Sequence, residues 1–254
     1  MDIEQIKSRL NQLQKTSNTS NNFWKPPSGK TQVRVVPYKF NKENPFIELY
    51  FHYNMGNNKT YLSPVSFGRP DPINEFAGKL KSTGDRDEWI QGKKLEPKMR
   101  TFAPVVVRGK EHEGVKFWGF GKTVYQELLG FIADPDYGDI TDPIGGRDMV
   151  VERQTPAEAG NQYGKTTIRV KPNQTPITED KEVLENIFES QVEIAELYDE
   201  PTYEDLQAVL TSYLNPNEEG DGTESTKESL NPPATTKKDS VANVDDAFDQ
   251  LFNS

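Results

Sequence analysis

The sequence contains no cysteine and only two histidines, His52 and His112. The absence of cysteine excludes disulfide bonds, thiolate nucleophiles and cysteine zinc sites. Only two imidazole side chains remain for histidine-based catalysis or metal binding. The chain also lacks an apolar run of about 18 residues and a charged amino terminus followed by an apolar segment. We therefore expect neither a transmembrane helix nor a signal peptide, and we predict a soluble, intracellular protein that does not contact membranes.

Apolar residues are also scarce, since 33% of the 254 residues are hydrophobic and the mean hydropathy is −0.81. This length accommodates one large domain or two small ones, and the low apolar content predicts that part of the chain stays outside any core. The net charge is −10, with basic residues concentrated in the first half and acidic residues in the second. A basic first half can neutralise phosphates although the whole protein is anionic.

The two ends of the sequence differ from its middle. Residues 1–22 predict a basic amphipathic arm, in which Lys7, Arg9 and Lys15 surround apolar positions at helical spacing. Residues 215–254 predict a disordered acidic linker that ends in an acidic and apolar tip, a composition typical of a docking peptide. The residues that we assign to partner docking are Asp245, Asp246, Phe248, Asp249, Leu251 and Phe252.

Residues 23–214 form the predicted globular core. The pattern of short apolar segments predicts one strand that ends near residue 37 and further strands at 45–55, 98–108, 115–120, 147–153 and 165–171. It also predicts a helix at 122–134 and two more helices before residue 214. This order predicts a mainly β fold with α-helices, of the OB type, which is a five-stranded, partly open barrel. The turn-rich stretch at about 54–97 predicts an inserted subdomain built on loops.

Two patterns that resemble catalytic sites fail on inspection. The tripeptide Gly-Lys-Thr begins at Gly29, Gly121 and Gly164, but a phosphate-binding loop needs another glycine five positions earlier, and none of the three has it. The carboxylates at 182–196 fit the solvated face of an amphipathic helix. We therefore predict that the protein is not an enzyme.

Aromatic and basic residues recur together between residues 50 and 122. Bases stack on aromatic rings without sequence preference while nearby cations hold the phosphates. A two-residue period places Lys116, Trp118 and Phe120 on one face of a strand, and the lysine indicates that this face is wet; the alternative is that the rings belong to the core. The residues that this pattern assigns to nucleic acid are Lys59, Tyr61, Arg69, Lys93, Lys94, Lys98, Arg100, Phe102, Lys116, Trp118 and Phe120.

The order of these features resembles the single-stranded DNA-binding, helix-destabilising protein of T-even-like tailed phages. The segments that carry the resemblance are GKTQVRVVPYKFNKENPFIELYFHY, KMRTFAPVVVRGKEHEGVKFWGFGK, KEVLENIFESQVEIAEL with YEDL after it, and VDDAFDQLF. The resemblance covers about residues 23–214 and returns at the acidic tip. It implies an OB-fold core with an inserted subdomain, a basic arm for cooperative contacts between neighbours, and an acidic tail.

The resemblance also implies a DNA cleft in which cations hold phosphates and rings stack on bases. The residues that match its cations are Arg34, Lys98, Arg100 and Lys122, and those that match its rings are Phe102, Trp118 and Tyr163. Together with the aromatic and basic pattern, we predict that phosphates lie along Arg34, Lys98, Arg100, Lys116 and Lys122 and that bases stack on Phe102, Trp118, Phe120 and Tyr163.

The chain departs from the family's pattern at two places. Well-studied members hold zinc in the inserted subdomain through a histidine and cysteines that include a C-P-x-C pair. Here His52 matches the histidine, but DPIN, residues Asp71–Asn74, stands where the pair would be. We therefore expect no zinc, and no other cofactor is implied. The basic patch of the family's arm is represented only by KSR and QKTS.

These observations predict a protein that coats and protects single-stranded DNA and removes its secondary structure during phage replication, recombination and repair, in the host cytoplasm. The resemblance implies self-association along DNA and recruitment of phage DNA polymerase, helicase loader, primase-helicase and recombinase by the acidic tail. Two alternatives stay open. One is a scaffold or assembly protein whose aromatic residues are core, and the other is an RNA-binding regulator, because stacking and phosphate contacts do not read the 2′-hydroxyl.

Overall fold

Short strands and helices alternate along the chain, which confirms the prediction of a mainly β fold with α-helices. The computed structural model describes residues 21–55 and 59–215. Within this part the chain forms two compact units: the first unit contains 21–49 and 99–199, and the second unit contains 50–55, 59–98 and 200–215. The predicted arm cations Lys7, Arg9 and Lys15 and the predicted docking tip lie outside the described residues.

The described residues contain eight strands, six α-helices and three short 3-10 helices. The strands are β1 (Phe23–Trp24), β2 (Gly29–Val35), β3 (Ile47–Met55), β4 (Lys59–Leu62), β5 (Lys98–Val107), β6 (Lys116–Phe120), β7 (Arg147–Gln154) and β8 (Lys165–Gln174). The helices are α1 (Pro72–Ser82), α2 (Arg86–Leu95), α3 (Lys122–Ala133), α4 (Pro156–Ala159), α5 (Lys181–Glu189) and α6 (Tyr203–Leu214). No helix among them is long and apolar enough to cross a membrane.

Six strands of the first unit form a sheet in the order β1–β6–β5–β2–β7–β8. Neighbours are antiparallel except β1 and β6, which run parallel. The strands predicted at 98–108 and 115–120 are confirmed as β5 and β6, and they form a hairpin in which Ala103 lies opposite Trp118. The predicted helix follows β6 directly as α3. The arrangement is consistent with the partly open barrel expected from the sequence.

Strand β5 is covered by apolar side chains on both of its faces. Val105 and Val106 point to opposite sides of the sheet, as successive strand residues do, and both are fully buried. Val105 packs in the larger core of the unit, whereas Val106 packs with Ile177 and with Ile187 of α5. The larger core contains Val33, Val35, Phe46, Ala103, Val105, Trp118, Phe120, Val124, Tyr125, Leu128, Met149, Val151 and Ile168.

The second unit contains two helices where the sequence predicted an insert built on loops. Asp71 caps α1 by accepting the backbone N–H groups of Ile73 and Asn74, each at 3.0 Å, and Pro72 occupies the first helical position. Asp85 caps α2 in the same way. Aspartate before a helix and proline at its first position are favourable, so the residues read as turn signals are in fact helix starts.

Helix α6 contributes to the core of the second unit although it follows α2 by more than one hundred residues. Its Thr202 and Asp205 form a reciprocal cap, in which each side chain accepts a backbone N–H of the other residue. Leu206 and Leu210 are fully buried. The core residues of this unit are Met55, Ile73, Phe76, Ala77, Leu80, Leu95, Leu206 and Leu210.

Candidate nucleic-acid interface

Three rings that the sequence assigned to base stacking lie inside the first unit. Phe102 is 4% exposed, Trp118 is 1% exposed and Phe120 is 4% exposed. Trp118 and Phe120 belong to the larger core, with their ring centres 4.6 Å apart. The inference that Lys116, Trp118 and Phe120 share a wet face is therefore wrong, and a base could stack on these rings only if the core opened.

The reason for this error is that both faces of β6 are covered. Phe117, which points away from Trp118, is also buried and packs against Tyr38 and Phe23, with ring centres 6.0 and 6.3 Å apart. The lysine that suggested a wet face stands at the first position of the strand, where its ammonium lies 2.6 Å from a carboxylate oxygen of Glu113. A charged residue at a strand end can reach solvent without exposing the face behind it.

Arg34 is a buried structural residue in this fold, rather than the exposed cleft cation that the resemblance implied. Its side chain is 0% exposed, and its Nη2 atom lies 2.9 Å from Oδ1 of Asp148 and 2.7 Å from the carbonyl oxygen of Thr175. Burial lowers the pKa of the Arg34 guanidinium, an effect that Asp148 opposes. Burial alone would raise the pKa of Asp148, but Arg108 and Arg34 hold it below its usual range.

Other predicted residues of the first unit are accessible. Arg100 and Lys122 are exposed at the same end of the β5–β6 hairpin, and the Arg100 Nη2 atom donates to the carbonyl oxygen of Gly119 at 2.6 Å. Tyr163 is 84% exposed in the turn before β8. Lys116 lies at the end of β6 that is opposite Lys122. Hydrogen bonds that Lys116 and Lys110 donate to the Glu113 carboxylate lower the pKa of Glu113 to about 2.

The second unit contains a groove of about 470 Å³, which we call the second-unit groove. It is lined by Tyr53, Asn54, Met55, Trp89, Ile90, Lys93, Lys94, Leu95, Lys98 and Tyr213. Strand β3, helix α2 and helix α6 each contribute one aromatic ring to it. The rings are partly open to solvent: Trp89 is 46% exposed, and Tyr53 and Tyr213 are each 39% exposed.

The groove also gathers three lysines that the sequence assigned to nucleic acid. Lys93, Lys94 and Lys98 are all exposed. The Lys93 ammonium lies 5.7 Å from the centre of the Trp89 ring, and the Lys98 ammonium donates to the carbonyl oxygen of Lys93 at 2.9 Å. Hydrogen bonds from Lys81 and Lys93 lower the pKa of Glu96, which keeps one carboxylate ionised beside the cations.

The backbone of β3 is irregular where it forms the wall of this groove. Asn54 has a φ of 60°, the left-handed region that asparagine tolerates better than most residues, and no other non-glycine residue of the described chain has a positive φ. The pairing of β3 with β4 shifts register between His52 and Met55. A bulge of this kind redirects side chains, and here it accompanies the exposed ring of Tyr53.

The remaining predicted residues of the second unit do not line the groove. Lys59 is exposed at the start of β4, and Tyr61 is half-buried against the core. The Cζ atom of Arg69 lies 5.0 Å from the centre of the Phe67 ring, and its Nη2 atom lies 2.5 Å from Oε1 of Glu200 in an ion pair.

Sequence reasoning missed the three aromatic residues of the groove. Trp89 lay in a segment assigned to loops, but a helix there would have shown Trp89 and Lys93 four residues apart on one face. Tyr53 and Tyr213 had no local signal, since their position depends on the bulge in β3 and on the packing of α6.

Residues 27–214 match the family model described as gp32 DNA binding protein like. The chain belongs to the gp32-like DNA-binding family. The match covers most of the chain and confirms the family that the sequence resembled, and membership supports binding of single-stranded DNA. No curated protein matches this gp32-like chain.

Proposed function

We propose that the protein binds single-stranded DNA without sequence preference and that the second-unit groove receives bases and phosphates. The observation that carries the proposal is the convergence of three exposed rings and three lysines on one groove of a gp32-like chain. Stacking of one base on an aromatic ring contributes about 1–3 kcal/mol, and it needs no particular base. The lysines supply the cations that the backbone phosphates require.

The preference for unpaired strands follows from the same contacts. Bases in a duplex already stack on each other, so the rings of the groove compete only for bases that are unpaired. A protein that binds the single strand and not the duplex lowers the duplex melting temperature by mass action. Coating of single-stranded DNA during phage replication, recombination and repair in the host cytoplasm is the role that we infer for it.

The ends of the chain complete the proposal. We assign cooperative contacts between neighbours to the arm with Lys7, Arg9 and Lys15, and recruitment of replication and recombination proteins to the tip at 245–252. The acidic segment 215–254 competes with DNA for the lysines in this scheme. Its deletion is expected to tighten DNA binding at low salt, and unchanged affinity would contradict the competition.

The first test is a titration of the full-length protein with oligo-dT of about 20 nucleotides, followed by tryptophan fluorescence at several salt concentrations. Of the three tryptophans, Trp118 is buried and Trp24 packs against it with ring centres 5.7 Å apart, whereas Trp89 is 46% exposed. We expect quenching that weakens steeply as salt rises. We expect Trp89→Phe to abolish most of the quenching while DNA binding, measured by anisotropy of a labelled oligonucleotide, persists.

Trp24→Phe is the matched control, because it removes a tryptophan that does not line the groove and should leave the quenching in place. Quenching that survives Trp89→Phe would place the bases elsewhere. A parallel titration with oligo-rU separates DNA from RNA preference. Absence of binding at low salt, with and without residues 215–254, would support the scaffold alternative instead.

A further inference from the structure

Three buried polar side chains of the second unit form a closed set of hydrogen bonds, which we call the His52 cluster: His52, Ser63 and Asp71. Each is at most 1% exposed. The His52 Nε2 atom lies 2.8 Å from Oδ2 of Asp71, and the Ser63 hydroxyl donates to the same oxygen. The His52 Nδ1 atom lies 2.8 Å from the carbonyl oxygen of Leu95.

The cluster joins four separate segments. His52 belongs to β3, Ser63 follows β4, Asp71 caps the start of α1, and Leu95 ends α2. Its bond to Leu95 connects β3 and α2, the two elements that carry Tyr53 and Trp89 into the second-unit groove. The cluster is therefore placed to hold together the second unit and the walls of its groove.

These residues occupy the place where the resemblance puts zinc, but their geometry does not fit that metal. A histidine ligand offers a nitrogen lone pair to zinc at about 2.0–2.1 Å. Here each ring nitrogen of His52 faces an oxygen acceptor, and the direct contact of Nε2 with Asp71 leaves no space between them for an ion. The described residues contain no group of three or more histidine and carboxylate side chains arranged to hold a metal.

We propose that the His52 cluster takes the place of the metal, so that the second unit folds and stays folded without one. An oxygen faces each ring nitrogen of His52, and the Asp71 carboxylate also accepts from the Ser63 hydroxyl and from the backbone N–H groups of Ile73 and Asn74, so the polar atoms of the cluster have partners within it or on the adjacent backbone. Burial on its own raises the pKa of Asp71, but the hydrogen bonds from His52 and Ser63 outweigh it and lower the pKa. Breaking a buried pair of this kind is costly, because one polar partner is left without its hydrogen bonds.

The first experiment measures metal dependence, and its readout does not involve DNA. The full-length protein is dialysed against a chelator, its zinc content is measured, and its thermal unfolding is followed with and without added zinc. We expect no stoichiometric zinc and the same Tm under all conditions. One zinc per chain, or a Tm that falls with the chelator and returns with zinc, would overturn the proposal.

The second experiment compares Asp71→Asn with Asp85→Asn. Both aspartates cap a helix, and asparagine caps helices equally well, so the two variants differ chiefly in the buried histidine partner. We expect Asp71→Asn to lower Tm by roughly 10 °C, whereas Asp85→Asn changes it little. Equal small shifts would refute the proposal.

A milder variant covers the case in which Asp71→Asn does not fold. Ser63→Ala removes one donor to the Asp71 carboxylate and leaves the His52 contact in place. We expect a smaller but clear fall in Tm that added zinc does not reverse. A Tm equal to that of the unmodified protein would count against the cluster.

Discussion

The Nζ atom of Lys93 lies 5.7 Å from the centre of the Trp89 ring, and Lys93 follows Trp89 by one turn of helix α2. A cation at this distance is attracted by the face of an indole ring. Lys93 thus places a positive charge beside the Trp89 ring, on which a base can stack. This pair therefore combines, on one helix, the two contacts that sequence-independent binding of a single strand requires.

Replacement of Trp89 by alanine should weaken DNA binding. The loss of one stacking contact costs about 1–3 kcal/mol, which corresponds to a Kd increase of roughly 5-fold to 150-fold. Trp89→Phe keeps a ring and should lose much less. Anisotropy of labelled oligo-dT measures both affinities, and Tm should stay nearly constant because the side chain is 46% exposed. Unaltered affinity of the alanine variant would remove Trp89 from the interface.

Replacement of both Lys93 and Lys94 by glutamine should flatten the salt dependence of binding. Each phosphate contact on a single strand contributes a slope of about −0.7 to the plot of log affinity against log salt, so the double variant should lose about 1.4. Lys39 and Lys110, which are paired with Glu189 and Glu113, provide a control with the same change in charge. A similar loss in both double variants would indicate a general effect of net charge.

Replacement of Arg34 by glutamine should destabilise the first unit without a selective effect on DNA binding. The variant removes the donors to Asp148 and Thr175, but Arg108 still pairs with Asp148, so we expect a loss of about 1–3 kcal/mol. Urea unfolding measures this loss. At temperatures where the variant is folded, its salt slope for oligo-dT should match that of the unmodified protein. A reduced slope at unchanged stability would instead show that Arg34 contacts phosphate.

Acid should remove the stabilisation that Asp148 provides. Its pKa in the folded protein is lowered from the ordinary value of 3.8, so its contribution is fully present above that pH and is lost as pH falls towards the folded value. Asp148→Asn should therefore have a lower free energy of unfolding at pH 7, and the difference should narrow below pH 3.8. Chemical denaturation of both proteins across this pH range measures the difference in their free energies of unfolding. A difference that does not change with pH would contradict a lowered pKa of Asp148 in the folded protein.

Gly119 should not tolerate a side chain. A Cβ atom there would lie 2.8 Å from the Phe102 ring and 3.1 Å from Nε of Arg100, so Gly119→Ala should lower Tm. Gly130 in α3 has no atom within 4 Å of such a Cβ, and Gly130→Ala should raise stability by up to about 1 kcal/mol. Opposite signs in the two variants would support the packing at Gly119, whereas a neutral Gly119→Ala would contradict it.

Elements with local signals could be predicted from the sequence. Strands β5 and β6 and helix α3 depend on neighbouring residues, and each is present as expected. Helices α1 and α2 were missed because Asp71 and Asp85, together with nearby proline and glycine, are also typical of turns. The same residues begin helices when apolar positions at helical spacing follow and find a core to pack against.

The site was predicted less well because exposure is decided by distant residues. The two-residue period of β6 is real, but Trp118 is buried in a core that also contains Val33, Phe46 and Met149, which are far from it in the sequence. Conversely, Lys93, Lys94 and Lys98 were assigned to nucleic acid, and the structure places them beside three aromatic rings, of which only Trp89 had a local signal. DNA contact by these lysines stays a prediction.

The second unit is built from two stretches of chain that are separated by the whole span 99–199. During synthesis, the ribosome releases Ile73 and Phe76 long before Leu206 and Leu210, with which they share a core. A domain generally folds as a unit, so the second unit cannot complete its core before α6 has been synthesised. The nascent chain must therefore carry an incomplete apolar surface until α6 leaves the exit tunnel, which makes this interval the point at which a chaperone would be most useful.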